Sequence, residues 1–209
     1  MLKLKTTLVG LVLTAAAGHA LASTNLVANG SFEANVVSSP FVNFSTTTQG
    51  ISNWIIGVGN VDLVGSLWTA AGGVNSVDLS GTRKGEIHQT LSTVAGQTYQ
   101  LSFALAGNFQ GGPAIKGMSV NIGPNGLYTF DTTGKSAGNM GWTTYSKTFV
   151  AVSTATTLSF ASNTSGAYGP VLDNVAVTAV PEPETFAMLL AGLGMMGMIA
   201  RRRKAASAR

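Results

Sequence analysis

The chain has 209 residues, 45% of them hydrophobic and only 10% charged, with no cysteine. Its formal net charge of +4 is set at the ends, where Lys3, Lys5, Arg201, Arg202, Arg203, Lys204 and Arg209 hold seven of the twelve basic side chains. Between Ser23 and Val180 five basic residues face six acids, a balance of −1 that argues against nucleic acid as a partner; without cysteine there are no disulfides and no thiolate metal sites.

At the N-terminus, Lys3 and Lys5 precede an apolar stretch from Leu8 to Ala17 and then Ala20-Leu21-Ala22. A charged start, a short apolar run and an A-x-A site predict a signal peptide over 1–22, cut after Ala22 so that Ser23 opens the exported chain. An uncleaved anchor would need a longer apolar run.

From 23 to 179 the pattern is β. Ile87, Gln89 and Leu91 alternate with polar neighbours in "GEIHQTLS"; Tyr99, Leu101, Phe103 and Leu105 do so in "QTYQLSFALAG". Met118, Val120 and Ile122 in "KGMSVNIG", and Leu158 and Phe160 in "TTLSFASN", repeat the period of two. Gly, Asn, Ser and Pro punctuate these runs in "GGVN", "VAGQ", "NFQGGP", "GPNG" and "SGAYGP". The segment of 157 residues suits one domain. Short strands with turn signals predict an all-β antiparallel sandwich, most simply a jelly roll.

Catalytic chemistry finds few residues to work with in this segment. Its one histidine, His88, sits on the outward face of a strand beside Glu86 and Thr90, and no GxSxG accompanies it. One histidine without cysteine does not make a zinc site. A glycosidase needs two carboxylates across a cleft, for which Asp62, Asp78 and Glu86 are the available acids. Phosphate and dinucleotide loops are absent from the sequence. The expectation is therefore a non-catalytic protein. A sugar site needs an aromatic face for the apolar side of a pyranose, with polar groups nearby. Trp54 and Trp142 read as packing residues, whereas Trp68 in "GSLWTAAGG", Tyr168 in "SGAYGP" and Phe109 in "GNFQGGP" lie among small, loop-like neighbours. These three are the candidate ligand-binding residues, set against core or loop-anchoring roles for each.

At the C-terminus, Thr185 to Ala200 is a run of sixteen uncharged residues followed by Arg201-Arg202-Arg203-Lys204. Sixteen helical residues span about 24 Å, against about 30 Å of hydrocarbon, so the run is short for a permanent span. The residues alone leave two readings, an anchor or an address. Pro181-Glu182-Pro183, the apolar run and the arginine cluster, in this order, resemble the PEP-CTERM sorting signal over 180–204, with 205–209 a basic tail end. That resemblance implies processing by an exosortase and a transient inner-membrane anchor through 185–200. It also implies a place at the surface or in the matrix of a Gram-negative bacterium that makes exopolysaccharide.

Further stretches, "NLVANGSFE", "ISNWIIGVGNVDLVGSLW", "HQTLSTVAGQTYQLSFALAGN" and "SGAYGPVLDNVAV" among them, resemble the choice-of-anchor C family, similar to carbohydrate-binding modules of the galactose-binding-like fold. The resemblance implies a structural Ca²⁺ joining the first and last strands through Glu33 and Asp173, with Asp78 as an extra ligand; the alternative is that Glu33 and Asp173 cap turns or meet a basic partner. Three functions follow from the whole: a non-catalytic binder of surface or matrix polysaccharide, a structural matrix protein without a ligand, and an exopolysaccharide hydrolase, in that order of preference.

Overall fold

The structure, a computed structural model, describes residues 24–46, 50–181 and 183–206. The signal peptide with its Ala20 and Ala22, and Glu182 of the sorting tripeptide, lie outside the described residues. Strands follow in the order β1 (Phe41–Ser45), β2 (Ile55–Val58), β3 (Asn60–Val64), β4 (Ser76–Asp78), β5 (Glu86–Ser92) and β6 (Thr98–Gly107). They continue with β7 (Ile115–Asn121), β8 (Gly126–Asp131), β9 (Thr143–Val150), β10 (Ala155–Ser162) and β11 (Pro170–Ala179), before the helix α1 (Pro183–Ala206). The strands form a six-stranded sheet, β1-β3-β4-β11-β6-β9, and a five-stranded sheet, β2-β5-β10-β7-β8, in which the pairings are antiparallel. This is the two-sheet antiparallel sandwich expected from the alternation, with the chain crossing repeatedly between sheets.

The period of two sets what faces inward. Ile87 and Leu91 of β5, Leu101, Phe103 and Leu105 of β6, Met118 and Val120 of β7 and Leu158 and Phe160 of β10 are all buried between the sheets. Rings bridge the layers: Trp54 lies 5.7 Å from Phe32 and 6.2 Å from Phe160, which packs 5.4 Å from Phe103. Trp54 also donates its indole N–H to the Asn29 carbonyl at 3.1 Å. Such a residue is core, as its sequence context predicts.

Strand β11 closes the larger sheet from its middle. It pairs with β6 along its length, from Pro170↔Gly107 to Ala179↔Tyr99, and with β4 at Val171 and Leu172. Beyond Leu172 the β4 side of the strand is taken by the N-terminal segment. Leu26 N–H donates to the Val177 carbonyl at 2.8 Å, and Val175 N–H to the Gly30 carbonyl at 2.8 Å. Asn25 Oδ1 accepts from the N–H groups of Val27 and Val177. The approach is close enough that a Cβ on Gly30 would sit 1.9 Å from the Val175 carbonyl oxygen. A register shift between Asp173 and Ala176 marks this junction.

The strand directions sort seven of the connections into two ends. At one, here the loop pole, lie the segments 79–85, 108–114, 132–142 and 163–169. At the other lie the shorter 93–97, 122–125 and 151–154, together with Asn25 and Val180. Both ends of the folded domain therefore leave from the pole opposite the long loops.

Pro181 precedes α1 and Pro183 is its first residue, a position where the missing N–H is not needed. Among the described residues no helix is long and apolar enough to cross a membrane, which corrects the expectation of a transmembrane helix over 185–200. Its sixteen uncharged residues fall short of the bilayer core, and Gly192, Gly194 and Gly197 dilute their hydropathy.

Truncating the central indole tests the core. Trp54→Ala should destabilise the domain by about 3–5 kcal/mol, read from urea denaturation midpoints at constant slope.

Candidate functional site

The loop pole is built on buried polar groups. Lys116 opens β7 on the same face as Met118 and Val120, so its side chain enters the space between the sheets and is fully buried. Its ammonium donates to the carbonyls of Gly111 at 2.6 Å and Tyr168 at 2.8 Å. One cation thus ties the 108–114 loop to the 163–169 loop. Burial lowers the Lys116 pKa, and the nearby Asp78 carboxylate opposes that shift.

Asp78 is 1% exposed and completes the junction. Its Oδ1 accepts from the N–H groups of Ser80 at 2.9 Å and Gly169 at 3.1 Å, and its Oδ2 from Asn108 Nδ2 at 2.8 Å. Asn108 N–H in turn donates to the Gly169 carbonyl at 2.9 Å, and Ser80 Oγ donates to Ser162 Oγ at 2.7 Å. Desolvation pushes the Asp78 pKa up to about 7 despite the Asn108 and backbone hydrogen bonds that favour its charged form.

Above this base Tyr168 presents its ring. It is 40% exposed and lies over Gly111, where an added Cβ would fall 2.1 Å from the ring. Only glycine admits so close an approach. Ring and loop are held in one geometry by the Lys116 bonds to both residues. Tyr168 is the sequence candidate that the structure leaves accessible.

Trp68 is corrected. Expected to offer an open face, it is 5% exposed and donates its indole N–H to Ser76 Oγ at 2.9 Å. The physical reason is long-range: the segment 65–75 folds back over the outer side of the six-stranded sheet, carrying Trp68 onto Ser76. Phe109, half-buried, packs edge-on against Trp68 at 6.4 Å and serves as its cover. Trp142 donates to the Thr69 carbonyl at 2.9 Å and so anchors the same segment.

Glu33 and Asp173 also hold that segment. Glu33 Oε1 accepts from the N–H groups of Val74 at 2.9 Å and Asn75 at 2.7 Å. Asp173 Oδ2 accepts from Ala71 at 2.8 Å and Gly72 at 3.0 Å, and its Oδ1 from Asn174 at 2.6 Å. Ca²⁺ requires six to eight oxygen ligands, whereas these carboxylates face converging N–H donors. Asp78 is engaged separately at the loop pole, and among the described residues no group of three or more His, Cys, Asp or Glu is placed to hold a metal. The hydrogen bonds of Glu33 and Asp173 are those of the turn-capping alternative. Desolvation raises the Asp173 pKa to about 6 against these hydrogen bonds, with Glu33 adding to the rise.

Asp62 stands directly opposite Asp78 across β3 and β4. Asp78, however, has both oxygens engaged and no exposed surface for a substrate atom to reach. His88 lies 3.9 Å from Glu86 on the outer face of the five-stranded sheet, as the alternation predicts. Lys116 is the residue that the sequence reading passed over. Its signal was its place two residues before Met118 in an inward-facing series.

Fold and site together define a β-sandwich domain whose loop pole carries a fixed, exposed tyrosine, followed directly by a sorting segment. The chain belongs to the family described as "Protein of unknown function (DUF642)", whose model matches residues 25–178. A PEP-CTERM protein-sorting motif matches 179–204, which marks the chain as exported. Halomucin of Haloquadratum walsbyi is 35% identical over 173 residues; the match takes in 76% of this chain but spans only 2% of that protein's length. Among solved structures the chain is similar to TmCBM61 in complex with β-1,4-galactotriose, with a TM-score of 0.47 and 16% identity, covering 76% of this chain and 100% of that one. It is also similar to a family 35 carbohydrate-binding module from Clostridium thermocellum, with a TM-score of 0.45 and 16% identity, covering 68% and 100%.

The raised carboxylates give a pH dependence of definite sign. Asp78 and Asp173 hold protons when folded in a range where the unfolded chain has released them, so stability falls as pH rises from about 4 to about 7 and then levels. In metal-free buffer the melting temperature should be higher at pH 5 than at pH 8. A difference of a few kcal/mol is the scale for shifts of this size. Lys116→Met should cost about 1–3 kcal/mol in chemical denaturation, because it strips the Gly111 and Tyr168 carbonyls of their donor.

Proposed function

We propose that the protein is a non-catalytic binder of carbohydrate, exported and sorted through its C-terminal motif by an exosortase to the surface or matrix of a Gram-negative bacterium. The observation that carries this reading is Tyr168. Its ring is exposed, rigidly seated on Gly111, and located at the pole opposite both chain ends. A ring fixed before binding loses little entropy when a pyranose stacks on it, and the stack removes water from both faces. Exposed Gln110 and Ser165 on the same two loops offer polar groups for hydroxyls. The resemblance to choice-of-anchor C domains points the same way, and the DUF642 family description leaves the activity open. Because both termini leave from the far pole, a chain held at 181 onward keeps its loop pole facing outward.

Binding of surface-extracted protein to matrix polysaccharide tests this reading. Tyr168→Ala should weaken retention up to about tenfold, with a small change in melting temperature, and Tyr168→Phe should keep most of it. Wild-type protein that binds no glycan would instead support a structural matrix role. Sorting is read separately by intact mass: the surface form should begin at Ser23 and lack Arg201, Arg202 and Arg203. Recovery of an uncut C-terminus would sink the exosortase step while leaving the glycan reading intact.

A further inference from the structure

The loop pole has an uneven distribution of charge. Asp78 is buried beneath Asn108 and Gly169. Asp62 is half-buried and accepts from Asn43 Nδ2 at 2.6 Å. Glu86 lies 3.9 Å from His88, and Asp131 accepts from the Thr133 N–H at 2.9 Å. Asp78 is thus buried and Asp62 and Glu86 are half-buried, while Asp131 is exposed. Arg83 and Lys84 are the contrast: both are exposed, and among the described residues neither makes an ion pair.

The turn that carries them is rigid. Asn60 accepts on Oδ1 from the N–H groups of Thr82 at 2.8 Å and Arg83 at 3.3 Å, and its Nδ2 donates to Thr82 Oγ1 at 2.7 Å. Gly85 N–H donates to the Leu79 carbonyl at 2.8 Å, and Ser80 bridges to Lys84. The turn also abuts the Tyr168 loop. A Cβ on Gly169 would lie 2.5 Å from Ser80 Oγ, and Gly169 N–H shares the Asp78 carboxylate with Ser80 N–H. The two unpaired cations therefore stand on a fixed turn against the loop that presents the ring.

We infer that the polysaccharide taken at this pole is an acidic one, carrying carboxylate or sulfate groups that meet Arg83 and Lys84 while a sugar ring stacks on Tyr168. This rests on the carbohydrate reading and narrows it to a chemical class. The cations lie in solvent, so their contribution is modest and screened by salt, and the ring supplies the uncharged part of the affinity.

The test pairs polymers that differ in charge: polygalacturonate with its methyl ester, and dextran sulfate with dextran, each bound to the detergent-solubilised full chain. At low salt the wild type should prefer at least one acidic member roughly fivefold or more over its neutral partner, and 1 M salt should erase most of that preference. The Arg83→Ser/Lys84→Ser variant should lose the preference while keeping its melting temperature. An Arg201→Ser/Arg202→Ser/Arg203→Ser variant should keep it, which separates the loop pole from the basic tail. Equal affinity for charged and neutral members, or a preference that survives in the Arg83/Lys84 variant or disappears with the tail variant, overturns the inference. Binding to the neutral polymers that Tyr168→Ala abolishes, without any charge preference, leaves the carbohydrate reading standing alone. No binding to any of the four polymers counts against both.

Discussion

The position of β11 is the constraint from which the rest of the structure follows. The last strand of the sandwich lies third from one edge of the larger sheet, between β4 and β6, so the six-stranded sheet is incomplete until the chain has reached Ala179. Such long-range pairing makes folding depend on contacts between the two ends of the domain. It also explains how a cysteine-free exported domain fixes its termini: Asn25 and Gly30 are bonded directly to β11, in place of a covalent staple. The sorting match begins at Ala179, a residue still paired with Tyr99, so the sandwich passes into the tail with no spacer between them.

The start of the same strand organises the loop pole. Gly169 leads into Pro170, and its N–H and carbonyl are bound to Asp78 and Asn108. An apolar filling of this space would be no less stable in principle, because burying Lys116 and Asp78 costs desolvation that their mutual attraction only partly offsets. What the charges add is direction. Lys116 bonds two particular carbonyls, and Asp78 collects donors from three segments, so the loops have one arrangement where an apolar contact would tolerate several. The raised Asp78 pKa and the lowered Lys116 pKa are the electrostatic record of that burial.

Much of the fold was legible in the alternation of β5, β6, β7 and β10, where one face of each strand is buried and a shift by one residue would expose it. The short β1, β2 and β4 left no comparable pattern; all three residues of β4 are buried, because a folded-back loop covers its outer side. That loop is also why Trp68 misled. Its neighbours in sequence are small, but its neighbours in space are Ser76 and Phe109, and local composition carries no trace of them. Glu33 and Asp173, read from the sequence as ligands of one calcium ion, both bind backbone N–H groups of the 65–75 segment. The nature of their partners was not legible, since backbone N–H groups are supplied by every residue and depend on conformation alone. Lys116 was legible and missed: a charged residue in register with Met118 and Val120 must either break the strand or be satisfied inside it.

Taken together, the two poles divide the labour of the domain. The terminal pole carries the turns 93–97, 122–125 and 151–154 and both ends of the sandwich, at Asn25 and Val180. At the loop pole buried Asp78 is consumed in holding loops, while a ring and two cations are exposed on the loops that it joins. In a protein whose exported core is nearly neutral, it is this sorting of charge by direction that gives one end a distinct surface.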